Sequence, residues 1–481
     1  MKRICLSLAV LMAVLCLIVS NSEEAESKNL TSMCDIKVSG GQSVDVIIDG
    51  SQYGSEWYQS GTEFEIECEE EIAGIYIIWD KKTPIWTLAS GGNTNTYGEK
   101  GFLHEFIEVE NAKKLKITLS ESARICEIYV FGEGVLPGWV QVWNEPHEKA
   151  DLLLMSTHAD DEHLFFAGVL PYYAVERGLK VQVVYMTNHN DTQSRPHELL
   201  NGLWAVGIRH YPVISDFPDL AGSLGQKGED VETILNRALT LYDEEEVTRY
   251  QVENIRRFKP KVIVGHDING EYGHGAHMVN AYTLMKALEL SNDPEYHKES
   301  YEKYGLWDVP KTYLHLWEEN KIVMDWDVPL SKFGGLTAYE VSKLGYNEHK
   351  SQHWTWFTKW FMGVYNGKER NKASDIAEYS PCEYGLYRST VGDDVLKNDF
   401  FENVELHAED TPVPTTPEPT ITPTPEVTNT NTPDNTVEPT RTPEDGKNDD
   451  AGEMILFGAV ILVVLALLVI TFWISLKRKY K

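Results

Sequence analysis

Two hydrophobic rhythms divide the chain. Over residues 35–133, short runs at 45–49, 62–67, 75–79, 114–119 and 126–131 alternate or stay apolar, with Gly- and Asn-rich breaks between them. That spacing predicts an all-β sandwich. Residues 134–150 carry Pro137, Pro146, Trp139 and Trp143 and read as a packed connection. From residue 151 the rhythm changes. Apolar runs at 152–156, 181–186, 211–214 and 261–265 alternate with helical stretches at 164–177, 198–206 and 231–258. Gly178 and Gly207 end the first two helices; the third has a break near Tyr242 and stops at Pro260. Strands alternating with helices predict βαβ units, a mostly parallel sheet and a Rossmann-like α/β domain.

The ends carry a different pattern. Lys2 and Arg3 precede an apolar run over 4–19, so residues 1–22 read as a secretory signal peptide. Residues 454–476 are an uninterrupted apolar segment of transmembrane length. Asp449, Asp450 and Glu453 precede that segment, and Lys477, Arg478, Lys479 and Lys481 follow it. The positive-inside rule then makes 477–481 a cytoplasmic tail and places the folded part outside the cell, at the cell membrane. Residues 410–450 are Pro, Thr, Glu and Asn with almost nothing apolar, an extended stalk. A formal charge of −31 excludes a nucleic-acid partner, which needs a basic surface. Four cysteines lie between the two apolar ends, Cys34, Cys68, Cys126 and Cys382. They allow three disulfide pairings, and the absence of CxxC argues against a cysteine metal site.

Candidate chemistry sits where two of the apolar runs stop. The 152–156 run leads into His158, Asp160, Asp161 and Glu162; the 261–265 run leads into a segment ending in His274 and His277. In an open α/β sheet, ligands bind outside the carboxyl ends of the strands. A catalytic zinc needs three N or O ligands and an open position, which His158, Asp161 and one of His274 and His277 would supply. Either packet alone reads as an acidic helix cap. Two packets on one sheet edge favour a metal site. His163, His189, His197 and His210 read as helix or surface histidines.

These residues also carry a family resemblance. THADDE (157–162) resembles the AHPDDE signature of PIG-L/LmbE-like zinc deacetylases, and HDINGEYGHGAH (266–277) resembles their DPxGGYGHPDH segment. RPHELLNGLWAVGI (195–208) is similar to their RRxELxxAxxxLGV helix, and HKSQ (349–352) to a segment after their core. The resemblance implies a deacetylase domain over 148–405 that removes acetyl groups from N-acetylglucosamine-type sugars with one divalent metal, usually Zn2+. It implies that His158, Asp161 and His277 hold the metal and that Asp160 is the general base. It further implies that His274, protonated, and Tyr272 act on the oxyanion or leaving amine, and that Arg195, Glu198 and Asp219 meet the substrate. Ala159 replaces the family's Pro without loss of a functional group. Gly275 and Ala276 replace Pro-Asp, removing a carboxylate beside His274. In the 35–133 region, Asp49, Gly50 and Trp57 with IAGIYIIWD (72–80) and ICEIYVFGE (125–133) resemble the discoidin-like, galactose-binding jelly-roll family. There Trp57, Trp86 and Tyr97 are candidates for stacking on sugar. The resulting expectation is a surface metal-dependent N-deacetylase for an N-acetylated glycan or glycoconjugate. The competing reading is a surface carbohydrate-binding or adhesive protein whose deacetylase-like domain keeps metal but not turnover.

Overall fold

The structure, a computed structural model, describes residues 25–220, 224–226 and 228–407. The expected signal peptide, stalk, apolar 454–476 segment and basic tail lie outside those residues. Among the described residues no helix is long and apolar enough to cross a membrane.

Residues 34–131 form one seven-stranded antiparallel sheet. Its strands are β1 Cys34–Val38, β2 Glu56–Tyr58, β3 Glu63–Trp79, β4 Trp86–Ser90, β5 Asn93–Tyr97, β6 His104–Leu119 and β7 Ala123–Phe131. They are ordered β2-β7-β3-β6-β4-β5, with β1 beside β3. The runs at 62–67 and 75–79 are two halves of β3, joined through the exposed acidic stretch Glu69, Glu70 and Glu71, where the register to β6 slips. The run at 45–49 is not a strand but a 3-10 turn, Asp45–Ile47, because only Ile47 of those three is buried. Cys34 faces Cys68 across the β1–β3 ladder, and the two form the disulfide; Cys126 and Cys382 are free and buried. Trp86 is fully buried and packs on Trp79 and Tyr97, so it belongs to the core; Trp57 is exposed beside Arg124.

The second half is an α/β domain. Its strands are β8 Leu152–Ser156, β9 Val181–Tyr185, β10 Val213–Ile214, β11 Val262–Gly265, β12 Lys311–His315, β13 Lys321–Val323 and, after the small hairpin β14 Val364–Tyr365 and β15 Lys368–Glu369, β16 Glu383–Ser389. The sheet order is β10-β9-β8-β11-β12-β16-β13. Its β10-to-β12 half is parallel; β16 runs antiparallel to β12 and β13. Every residue of β8, β9, β11 and β12 is buried, which is why β8, β9 and β11 read as apolar runs, whereas β12 buries the polar side chains of Lys311, Thr312 and His315 and does not. The helices are α1 Asp161–Leu164, α2 Ser194–Ala205, α3 Val231–Leu241, α4 Glu244–Phe258, α5 Gly275–Leu290, α6 Lys298–Tyr304, α7 Ala338–Asn347 and α8 Trp356–Met362. From β8 the chain moves outward to β9 and β10, then returns to β11 on the other side of β8. The order therefore reverses between β8 and β11, and the crevice of an open α/β sheet opens at such a reversal.

The helix expected over 164–177 is interrupted. α1 is one turn, and a π-helical segment, Leu170–Glu176, follows. Between them Gly168 takes φ +88°, and a Cβ there would lie 2.3 Å from the Trp326 ring. The stretch at 231–258 is two helices, divided at Tyr242, with Asp243 capping the second through the N–H groups of Glu245 and Glu246. The two halves of the described chain also share a polar seam. The Tyr76 hydroxyl meets His104 Nδ1 at 3.0 Å, His104 Nε2 meets His197 Nδ1 at 2.9 Å, and Leu103 N–H donates to the Tyr211 hydroxyl at 3.0 Å.

Candidate metal centre

The loop after β8 turns sharply to present its side chains. Asp160 takes φ +113°, a region that residues with a Cβ rarely occupy. The turn is held from three sides. Thr187 Oγ1 donates to the Thr157 carbonyl at 2.7 Å, Asn280 Nδ2 donates to Thr157 Oγ1 at 2.8 Å, and Arg195 Nη2 donates to the Ala159 carbonyl at 2.5 Å.

Within it, Asp161 Oδ2 accepts the His158 backbone N–H at 2.7 Å. The same oxygen lies 3.2 Å from His277 Nε2, 3.5 Å from His158 Nδ1 and 3.3 Å from His266 Nε2. His158 Nδ1 and His277 Nε2 are 2.8 Å apart. All three side chains are buried, and His277 Nδ1 has no hydrogen-bond partner. Two ring nitrogens and a carboxylate oxygen therefore converge on one point, the donor set of a catalytic divalent-metal site. Burial works against charge here, but the Asp161 and Asp219 carboxylates push His158 up to about 10. Burial likewise opposes ionised Asp161, yet His277 and His266 hold it well below the usual carboxylate range. Two imidazole nitrogens and a carboxylate oxygen at one buried point, with His277 Nδ1 left without a partner, fit the divalent metal that the resemblance implies.

Asp160 lies beside the three donors, its Oδ2 3.8 Å from Arg195 Nη2. Burial raises its carboxyl to about 7 against the pull of Arg195. His274 caps α5, its Nδ1 accepting the Ala276 N–H at 3.2 Å. Burial, with His158 and His277 nearby, lowers His274 well below the ordinary imidazole value. Its neutral form is favoured, with the proton on Nε2. Ala276 is buried among Met186, Ala238 and Val279, where a carboxylate would be costly. Tyr272 packs among Phe165, Trp356 and Phe357, with ring centroids 5.1 to 6.0 Å away. Asp219 Oδ1 lies 3.4 Å from His158 Nε2.

Glu198 does not face this crevice freely. Both its oxygens are taken by Ser351, from the backbone N–H at 2.8 Å and from Oγ at 2.5 Å. His163, His189 and His197, read from sequence as helix or surface residues, are all buried. His189 Nε2 accepts the Ala159 N–H at 3.2 Å, so it belongs to the site. Two further groups were missed. His266 stacks on His277 with ring centroids 4.4 Å apart, and its Nδ1 meets Glu271 Oε1 at 2.8 Å. Glu271 Oε2 meets His315 Nδ1 at 2.6 Å, and His315 Nε2 donates to the Ser380 carbonyl. This chain orients the residues around the donors, as outer-shell carboxylates do in metal sites. The signal for His266 was its place directly after β11.

Part of the chain is similar to known proteins. A deacetylase of 1D-myo-inositol 2-acetamido-2-deoxy-alpha-D-glucopyranoside from Saccharopolyspora erythraea is 31% identical over 34% of this chain and 63% of its own. One named likewise from Catenulispora acidiphila is 28% identical over 35% and 56%. The chain thus spans only about six-tenths of the length of these curated relatives. Among solved structures, an N,N'-diacetylchitobiose deacetylase from Pyrococcus horikoshii aligns over 50% of this chain and 85% of its own, at 14% identity and TM-score 0.35. Residues 153–288, the span from β8 to α5 that contains all three donors, match the family described as PIG-L, GlcNAc-PI de-N-acetylase.

Proposed function

We propose that this chain is a cell-surface, Zn2+-dependent N-deacetylase that removes the acetyl group from an N-acetylglucosamine-type glycan or glycoconjugate. The observation that carries the reading is the convergence of His158 Nδ1, His277 Nε2 and Asp161 Oδ2, with Asp160 one residue away. A zinc ion held there supplies Lewis acidity, polarising the acetamide carbonyl and making water acidic near neutrality. Asp160 takes the proton from the attacking water, and Arg195 keeps its carboxylate aimed. His274, neutral with Nε2–H free, donates to the oxygen that becomes negative in the tetrahedral state, and the Tyr272 hydroxyl is a second donor. Asp160 then passes its proton to the departing amine. Arg195 Nε, buried without a partner, is a donor for a sugar hydroxyl, and Asp219 is an acceptor at the rim. The 35–133 domain, with exposed Trp57, is proposed as a glycan contact. The apolar 454–476 segment is proposed as the membrane anchor and 410–450 as the stalk. The test is release of acetate from a short N-acetylglucosamine oligosaccharide by the full chain. Activity should vanish with chelator, return with zinc, and be lost in Asp160→Ala with zinc content unchanged. Full turnover by that variant sinks the base assignment, and no turnover by the wild type returns the domain to a binding role.

A further inference from the structure

Directly behind the catalytic loop lies a second convergence of ligand atoms. Glu162 and His163 follow Asp161 in sequence, and His349 opens the 3-10 turn Lys350–Gln352 after α7. All three side chains are essentially inaccessible, at 1%, 0% and 0% exposure. Glu162 Oε1 lies 3.3 Å from His163 Nε2 and 3.7 Å from His349 Nε2. One ligand atom from each residue falls within 4.8 Å of the other two. Yet Glu162 Oε1, both nitrogens of His163 and both nitrogens of His349 have no hydrogen-bond partner. Buried polar atoms are nearly always satisfied, and each orphan costs about 1–3 kcal/mol. Five in one place therefore point to a missing partner. The backbone makes room for these rings with glycines. A Cβ on Gly202 would sit 2.7 Å from His163 Nε2 and 2.8 Å from His349 Nε2, and one on Gly345 would sit 2.3 Å from the His163 ring. The buried Tyr185 hydroxyl lies beside Glu162.

We propose that Glu162, His163 and His349 form a second, structural divalent-cation site, of a kind suited to zinc. One oxygen and two imidazole nitrogens are zinc's preferred donors, and the Tyr185 hydroxyl or one water completes four-coordination. A closed, inaccessible site of this kind is structural, because no position is open to substrate. Glu162 Oε2 accepts the Asp160 backbone N–H at 3.0 Å, so an ion on Oε1 braces the strained residue from behind. On the other side the ion pins His349, and with it the turn whose Ser351 grips Glu198. Adjacent residues Asp161 and Glu162 thus serve two centres.

The test is metal stoichiometry of the full chain, purified in detergent, by elemental analysis and by cobalt(II) titration of the stripped protein. Two ions per chain are expected, falling to one in His158→Asn/His277→Asn and to one in His163→Leu/His349→Leu. Visible cobalt absorption retained in His158→Asn/His277→Asn belongs to the second site. One ion per chain in the wild type, lost in His158→Asn/His277→Asn, overturns the proposal and leaves the catalytic reading intact. One ion retained in that variant supports the second site and counts against the catalytic metal. If His163→Leu/His349→Leu fails to fold, wild-type stoichiometry and the other variant still decide.

Discussion

Asp160 occupies a backbone region that costs a residue with a side chain about 1–3 kcal/mol, and its buried carboxyl adds to that cost. Strain of this kind persists where function requires the side chain. Asp160→Gly should therefore raise stability by about 1 kcal/mol in chemical denaturation while abolishing deacetylation. A lower midpoint would show that the turn is not strained. A second residue-scale test lies far from the site. Burial pushes Glu127 up to about 7, although the Gly50 N–H donates to it. Its folded value lies above its unfolded one, so between roughly pH 4.5 and 7 the folded state binds more protons. Stability then falls as pH rises through that window. Glu127→Gln removes this loss and should stabilise the protein at pH 8 by up to about 3 kcal/mol, with little effect at pH 4. Equal effects at both pH values, read by urea denaturation, would contradict the sign.

At the scale of elements, the approach to the site depends on where helices stop. Gly168 lets the chain turn between α1 and the following π-helical segment with the Trp326 ring against its Cα. Gly168→Ala meets both the positive φ and the ring and should cost about 2–4 kcal/mol, measured by thermal unfolding. A change below about 0.5 kcal/mol would mean that Trp326 moves aside freely. The helix expected over 164–177 missed this break because helical periodicity continues across Gly168, and Trp326 lies far away in sequence. β3 shows the opposite error. Its two apolar halves looked like two strands, because the charged residues 69–71 between them interrupt the apolar pattern where the register to β6 slips, while both halves pair with the same distant strand β6.

Across the whole molecule, the donors come from the loop after β8, from α1 and from α5, while the second group of donors adds the segment after α7. Metal should therefore couple these parts. Stripping it should lower the unfolding midpoint, and zinc at a thousandfold excess over its dissociation constant should restore about 4 kcal/mol. Calorimetry of the stripped and reloaded chain checks this; an unchanged midpoint would mean that the donors hold no ion in the folded state.

The alternation of buried runs and amphipathic helices determined the α/β class, because the strands of a parallel sheet covered on both faces are mostly apolar. It also pointed to the packets after β8 and β11, because ligands bind where such strands end, while leaving open whether His274 or His277 joins His158 and Asp161. What only the tertiary structure decided is contact between residues distant in sequence. His189, His266 and the Glu271–His315 pair stand around the donors because β9, β11 and β12 are neighbours of β8, or of one another, in the sheet. Glu198 was legible as a polar side chain on a helix, but its engagement with Ser351 depends on a turn 153 residues away. The Cys34–Cys68 pairing, one of three, follows from the β1–β3 register. His163 reads as an ordinary helical histidine until α7 delivers His349 to it. A single chain fixes its own periodicities locally, whereas which side chains share a cavity is set by the order in which strands and helices pack.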